Sequence, residues 1–470
     1  MVFSSAYFLL LFLPFVLLLY FIVPKKYRNL VILAASLYFY TYGEKFLVLI
    51  MIFSTIVDYK CGIMIEEGNK KLGLRFSLLT NLLTLGVFKY FNFAIDNLKA
   101  AISGLGIQTS AFDGIIEIAL PLGISFYVFQ TMSYTIDVYR GNVKASRNIL
   151  EFATYVTMFP QLVAGPIVRY IDVQKEIVKR EVTLVSFSKG LERFILGLAK
   201  KMILANTFAS VADNIFAESS GDISTLNAWI GVFAYTFQIY FDFSAYSDMA
   251  IGLGKMFGFN FLENFNYPYI SKSIKEFWRR WHISLSSWFR DYLYISLGGN
   301  RKGKSRTYLN LFIVFFITGL WHGAAWNFVI WGLFHGLFIV IERVGFDKVL
   351  EKLWAPIQHI YTLLIVLIGW VLFRAEDLNH ALIYLKTMFV YNEGSYALND
   401  YLSYFNYNNE TIIIFGLGII FSFPIYPYLE KKLTNPTFLP FRYLLVISLL
   451  FISILYIAAG SYNPFIYFRF

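Results

Sequence analysis

The chain is assembled from apolar runs of one recurring length, about 17 to 25 residues, which is what a helix needs to cross roughly 30 Å of hydrocarbon. Composition agrees with that reading. Of the 470 residues, 58% are hydrophobic, 20% aromatic and only 15% charged, too few charges to clothe a soluble protein of this length. The expected fold class is therefore all-α, a polytopic helical membrane protein. The first run, Ser5 to Val23, lacks a basic start and a small-residue cleavage site, so it reads as the first span and not as a signal peptide.

The formal charge of +10 does not point to nucleic acid, because the basic residues sit in short loops between apolar runs, as the positive-inside rule requires. The single cysteine, Cys61, excludes an internal disulfide and any multi-cysteine metal centre. No histidine or carboxylate cluster has metal-ligand spacing either, so no metal is expected.

Lys25, Lys26 and Arg28 place the first loop in the cytoplasm and the N-terminus outside. Spans follow at about Leu30–Tyr42, Phe46–Ile65, Leu74–Ile95 and Ile115–Tyr139. The alternation then fails at "FATYVTMFPQLVAGPI", which is apolar yet has basic loops on both sides. Pro160, Gly165 and Pro166 would break a straight helix there, so this stretch reads as a re-entrant segment, buried in protein or lining a wet cavity. Further spans lie near Leu184–Ser210, Leu226–Met249, Tyr308–Ala325, Trp326–Ile341, Ile357–Phe373, Thr411–Leu429 and Arg442–Ala459. The charge pattern gives about 12 crossings in a single membrane domain over residues 1–470, both termini outside. Residues 255–306 form a cytoplasmic amphipathic and basic segment; 374–410 form an extracytoplasmic loop, Asn/Tyr-rich from Val390 to Glu410. No internal repeat is apparent, which disfavours inverted-repeat transporter architectures.

Four stretches carry groups capable of chemistry. In "FFITGLWHGAAWNFVIWGLFHG", His322 and His335 sit in an almost uncharged run, each before the second glycine of a small-xxx-small spacing. An intramembrane ionisable residue is a functional candidate, and neutral imidazole is a suitable general base. The competing reading is a packing histidine bonded to a backbone carbonyl. In one unbroken helix the two would lie roughly 20 Å apart, so they share a site only if the chain folds back between them. In "KEFWRRWHISLSSWFRDYLYISLGGN", helical spacing puts Phe277, Trp281, Leu285, Trp288 and Tyr292 on one stripe, with His282 at its margin. That is an interfacial helix. Arg279, Arg280 and Arg290 either meet anionic membrane lipids or line the entrance for a phosphorylated cytoplasmic donor. Asp242 and Asp248, in "YFDFSAYSDMAIGLGKMFGF", are either paired with nearby arginines or used by a proton-coupled polysaccharide transporter or flippase. The C-terminal "NPFIYFRF" reads on composition as an aromatic interfacial belt.

"FWRRWHISLSSWFRDYLYISLGGNR" and "LWHGAAWNFVIWGLFHG", with "MFPQLVAGPIVRY" and "YFDFSAYSDMAIGLGKMFGFNF", resemble the membrane-bound O-acyltransferase family in its bacterial branch, that of the alginate and peptidoglycan O-acetyltransferase membrane subunits. The resemblance spans residues 119–336. It implies transfer of acetyl from cytoplasmic acetyl-CoA, as donor substrate and not as bound cofactor, to a hydroxyl acceptor on an exported or cell-wall polysaccharide. It makes His322 the catalytic histidine, His282 the second histidine on the donor side, and Tyr467 a candidate acyl relay. It also implies an extracytoplasmic SGNH-type acetyltransferase or hydrolase-like partner, in a bacterial cytoplasmic membrane. Teichoic-acid D-alanyl transfer from a carrier-protein thioester stays open as a related alternative.

Overall fold

In a computed structural model of the chain, the described residues are 1–112, 114–163, 165–218, 222–394 and 409–466. Among them every regular element is helical and no strand forms. Six helical stretches are long and apolar enough to cross a bilayer: Lys25–Glu66, Lys70–Gly104, Leu184–Ala217, Trp326–Leu350, Ala355–Arg374 and Pro436–Ala458. The pair Asn409–Phe421 and Ile425–Leu433, bent by 84°, makes a seventh if it is one broken span. The chain is thus a multi-pass membrane protein. The count falls short of the charge-pattern reading partly because continuous helix joins blocks that hydropathy separates. Lys25–Glu66 contains two expected spans, with its backbone break at Lys45 (φ 51°) between them. The span expected over Ile115–Tyr139 becomes helical only at Ile124. Thr411–Leu429 is interrupted ahead of Pro424, whose ring cannot continue the first helix.

Two compact units divide the chain. The first comprises Leu10–Glu181 with Gly258–Phe261. Its helices Val48–Glu66, Lys70–Leu85 and Ile124–Arg140 are joined by a buried polar knot. The Asp58 carboxylate accepts from Ser77 Oγ at 2.5 Å and Asn81 Nδ2 at 2.8 Å, while Thr131 Oγ1 donates to Asn81 Oδ1 at 3.2 Å. Satisfying every member is what makes a carboxylate tolerable there. The expected re-entrant stretch also lies in this unit and is broken, into helices Ile149–Thr157 and Phe159–Leu162. Phe152, Tyr155, Phe159 and Leu162 are wholly buried. Its freed backbone groups are paired with side chains: Phe159 N–H donates to Ser36 Oγ at 3.0 Å, and Tyr155 O accepts from Gln161 Nε2 at 2.5 Å. Irregular backbone at this depth is tolerated because protein surrounds it.

The second unit holds Val2–Leu9, Val182–Phe257 and the chain from Leu262 onward. Its axis is the 32-residue helix Thr225–Met256, packed along Leu184–Ala199. Gly190 and Gly252 meet at the crossing, where a Cβ on Gly252 would come within 2.6 Å of the Gly190 carbonyl. The interfacial helix expected around residues 275–295 is corrected here. It is broken into Ile274–Arg280, Ile283–Trp288 and a π-turn Phe289–Tyr294, and its aromatic stripe faces protein, not lipid. Phe277, Trp281 and Leu285 are at most 3% exposed, buried against the rest of the unit. The periodicity identified the buried face correctly; it could not say what buries it.

Candidate active site

The run that carries His322 and His335 folds as a helical hairpin, Lys304–His322 and Trp326–Ile341, joined by residues 323–325. The glycines explain how. A Cβ on Gly319 would collide with the Phe328 carbonyl, and one on Gly332 would collide with the Phe315 carbonyl. Their small-residue spacing therefore admits the returning helix, one of the two partners, helix or ligand, that such spacing allows. The chain folds back between the two histidines, the condition under which they can come together, and both imidazoles touch one indole. Trp331 lies 4.9 Å from the His322 ring and 5.2 Å from that of His335.

His322 ends the first helix of the hairpin and is 8% exposed. Its ring is boxed edge-to-face by Trp321 at 4.9 Å, Trp331 at 4.9 Å and Phe373 at 5.2 Å. Such a box excludes water and fixes the plane of the imidazole. Trp321 also faces His282, with ring centroids 6.1 Å apart, so one indole touches both family-motif histidines.

His282 sits at the break between the 274–280 and 283–288 helices with φ 43° and ψ 55°, a left-handed backbone that a non-glycine residue adopts only when its surroundings impose it. Asn264 imposes it. Its carbonyl accepts from Ile283 N–H at 2.9 Å, and its Oδ1 accepts from Ser284 N–H at 3.2 Å and Ser284 Oγ at 2.9 Å. Because a backbone N–H only donates, the atom it meets on Asn264 is the oxygen. His282 Nδ1, 3.1 Å from that same oxygen, must then carry a proton. Nε2 is left as the lone-pair nitrogen, fully buried, with no hydrogen-bond partner among the described residues. Asn264 was not singled out in the sequence; only its spacing of 18 residues from His282 in a polar loop hinted at it.

The 274–280 helix is held at its start by Glu342, a buried carboxylate that accepts from Ile274 N–H at 2.6 Å and Lys275 N–H at 2.9 Å. His335 packs against Phe277 at 6.3 Å, Trp278 at 5.3 Å and Phe334 at 5.7 Å. Packing was expected for it, but the backbone carbonyl bond was not found. Neither ring nitrogen has a partner among the described residues.

The three arginines stay at the surface of the unit. Arg280 donates to Glu276 at 2.9 Å and to the Asn266 carbonyl at 3.1 Å; Arg290 pairs with adjacent Asp291 at 2.7 Å. Arg279 is exposed. Asp248 pairs with Arg193 at 2.9 Å and Lys200 at 2.5 Å. Asp242 pairs not with an arginine, as expected, but with buried Lys201 at 2.7 Å. That pair also grips the C-terminal segment: Lys201 Nζ donates to the Pro464 carbonyl, and Ile466 N–H donates to Asp242 Oδ2 at 3.2 Å. Tyr467 lies outside the described residues. No group of three or more metal-ligating side chains comes together among those described.

The candidate site is therefore a buried imidazole in an aromatic box, within a multi-pass helical membrane protein. The sequence profile described as MBOAT, membrane-bound O-acyltransferase family, matches residues 32–371, and the chain belongs to that family. It is therefore an O-acyltransferase. A probable alginate O-acetylase of Pseudomonas putida is 42% identical over the whole of both chains. One from Azotobacter vinelandii is 47% identical over 85% of this chain and 80% of its own. The peptidoglycan O-acetyltransferase of Helicobacter pylori is 35% identical over 83% and 80%.

Proposed function

We propose that this protein takes acetyl from cytoplasmic acetyl-CoA and delivers it for O-acetylation of an exported or cell-wall polysaccharide, in a bacterial cytoplasmic membrane crossed by both faces of its site. The observation that carries this reading is His322, seated at the hairpin tip in its aromatic box and joined through Trp321 to His282. A thioester is already activated, so the enzyme has three tasks: orient a hydroxyl, remove its proton and stabilise the oxyanion that forms. His322 accepts the acceptor's proton as oxygen attacks the thioester carbonyl. The tetrahedral intermediate then expels CoA thiolate, which takes that proton back. Water excluded from the box neither competes for the acyl group nor screens the developing charge. His282, with Nδ1–H fixed on Asn264, presents an acceptor nitrogen on the donor side. Arg279, Arg280 and Arg290 recruit the CoA phosphates at the cytoplasmic face, Arg280 and Arg290 exchanging Glu276 and Asp291 for them.

Relatives named for alginate and for peptidoglycan support a polysaccharide as the final acceptor. Tyr467, one residue beyond the segment held by Lys201 and Asp242, would take the acetyl as a relay to an extracytoplasmic SGNH-type partner. The test is to supply purified protein with acetyl-CoA labelled in the acyl group and to follow CoA release and acyl-enzyme by mass spectrometry. Release of CoA with label on Tyr467 that disappears in Tyr467→Phe is the expected result. CoA release with the label elsewhere removes the relay. No release from acetyl-CoA, with turnover of a carrier-protein thioester instead, sinks the acetyl-CoA donor in favour of D-alanyl-type transfer.

A further inference from the structure

Two buried ion pairs converge on the last described residues, all within the second unit. Lys201, in the π-turn Lys200–Ala205, and Asp242, on the Thr225–Met256 helix, pair at 2.7 Å with side chains only 1% and 2% exposed. Each makes a second bond, to backbone. Lys201 Nζ donates to the Pro464 carbonyl, and Asp242 Oδ2 accepts from Ile466 N–H at 3.2 Å. Arg374 and Asp213 pair at 2.5 Å, and Asp213 Oδ2 accepts from Tyr462 OH at 2.6 Å. Between these grips Asn463 Nδ2 donates to Ser4 Oγ at 3.2 Å, and the Phe465 ring lies 4.3 Å from that of Tyr246. Stability alone is a weak reason for the Lys201–Asp242 pair, because replacing a buried ion pair by apolar side chains of similar volume is often neutral or stabilising. What apolar side chains cannot do is bond a carbonyl at 464 and an amide at 466.

We propose that Lys201 and Asp242 are positioning residues for the acyl relay, holding the 464–466 backbone so that the residue that follows, Tyr467, is presented for acylation. The role rests on the relay reading above. A relay hydroxyl on a loose segment must be oriented at every turnover, and anchoring the peptide that leads to it removes much of that cost before the reaction. The gain is large, since a misplacement of roughly 1 Å can cost about 10²-fold in rate. Both bonds are to main-chain atoms, so they set the path of the segment whatever side chains stand at 464 and 466. The Arg374–Asp213 pair and Asn463 fix the segment upstream; Lys201 and Asp242 act nearest to the relay.

The experiment sets two uncharged double variants against wild type, all as full-length protein in nanodiscs supplied with acyl-labelled acetyl-CoA. Lys201→Met with Asp242→Leu fills the space but bonds nothing. Lys201→Gln with Asp242→Asn keeps a donor for the Pro464 carbonyl and an acceptor for Ile466 N–H. The apolar variant is expected to leave the KM for acetyl-CoA unchanged, to slow labelling of Tyr467 by about 10- to 100-fold, and to speed hydrogen exchange at Ile466. The amide variant should keep most of the labelling rate and the slow exchange, with melting temperature as the check on folding. A merely structural pair would instead let labelling recover wherever the melting temperature recovers. Labelling of the apolar variant at the wild-type rate, or equal slowing in both folded variants, overturns the positioning role. So does Ile466 exchange that is the same in wild type and the apolar variant. Absence of label from wild-type Tyr467 overturns the relay itself, and exchange at Ile466, which needs no donor, tells that failure apart from loss of the grip.

Discussion

The tautomer of His282 is decided by a neighbour that cannot be ambiguous. Ser284 N–H fixes which end of Asn264 is oxygen, and that oxygen fixes the proton on Nδ1. Asn264 is thus a positioning residue. Asn264→Ala is expected to lower kcat by at least about tenfold, since the imidazole loses both its orientation and its preferred protonation. Asn264→Asp, which keeps the acceptor, should recover most of it. Equal kcat in Asn264→Ala and wild type would contradict this role. His335 is different. Its Nε2 faces Gly369, where a Cβ would stand 2.7 Å away, and its ring packs against the indoles of Trp278 and Trp331. His335→Phe is expected to leave donor affinity intact and to cost stability in proportion to the misfit, about 1–3 kcal/mol by thermal melting.

At the scale of elements, the histidines are set by two devices. One is the glycine crossing of the hairpin. Gly319→Leu places a side chain where the Phe328 carbonyl lies, so the hairpin must open and His322 must leave its box. The expected outcome is loss of activity together with a lowered melting temperature. The second device is Glu342, which caps the 274–280 helix from the far end of the hairpin. Glu342→Ala strands two buried N–H groups, at about 1–3 kcal/mol each. It should destabilise the His282 turn, and hydrogen exchange at Ile274 and Lys275 should accelerate. Unchanged exchange there would show that the cap is dispensable. Neither device was legible beforehand. The small-residue spacing around Gly319 and Gly332 was visible, but what approaches it was not, because a one-dimensional pattern does not say whether the partner is a helix or a ligand. The aromatic stripe from Phe277 to Tyr292 was legible for the same reason and misplaced for the same reason. Periodicity reports a buried face, not the medium that buries it.

Across the whole molecule, the all-helical class and the multi-pass membrane character followed from run length and charge, and the broken segment near Pro160 from its prolines and glycine together with the flanking charges. The span boundaries did not. Hydropathy cannot see that residues 115–121 form no regular structure, or that Lys45 interrupts continuous helix. The Lys201–Asp242 pair was equally invisible, since its partners lie 41 residues apart on different helices. It bears on function because both aspartates of the rival transporter reading are held in ion pairs. Lys201→Met should cost about 3–5 kcal/mol by leaving Asp242 buried and unpaired, and Lys201→Met with Asp242→Leu should recover much of that loss. A titrating transport carboxylate would instead tolerate Lys201→Met and fail on Asp242→Asn. The account's central claim, that His322 is the base of an acyl transfer, is tested most directly by the rate of CoA release from acetyl-CoA with acceptor present, wild type against His322→Ala, in folded protein matched by melting temperature. The rate should fall by about 10²- to 10⁴-fold, the contribution of one well-placed general base. Release at the wild-type rate from His322→Ala would contradict it.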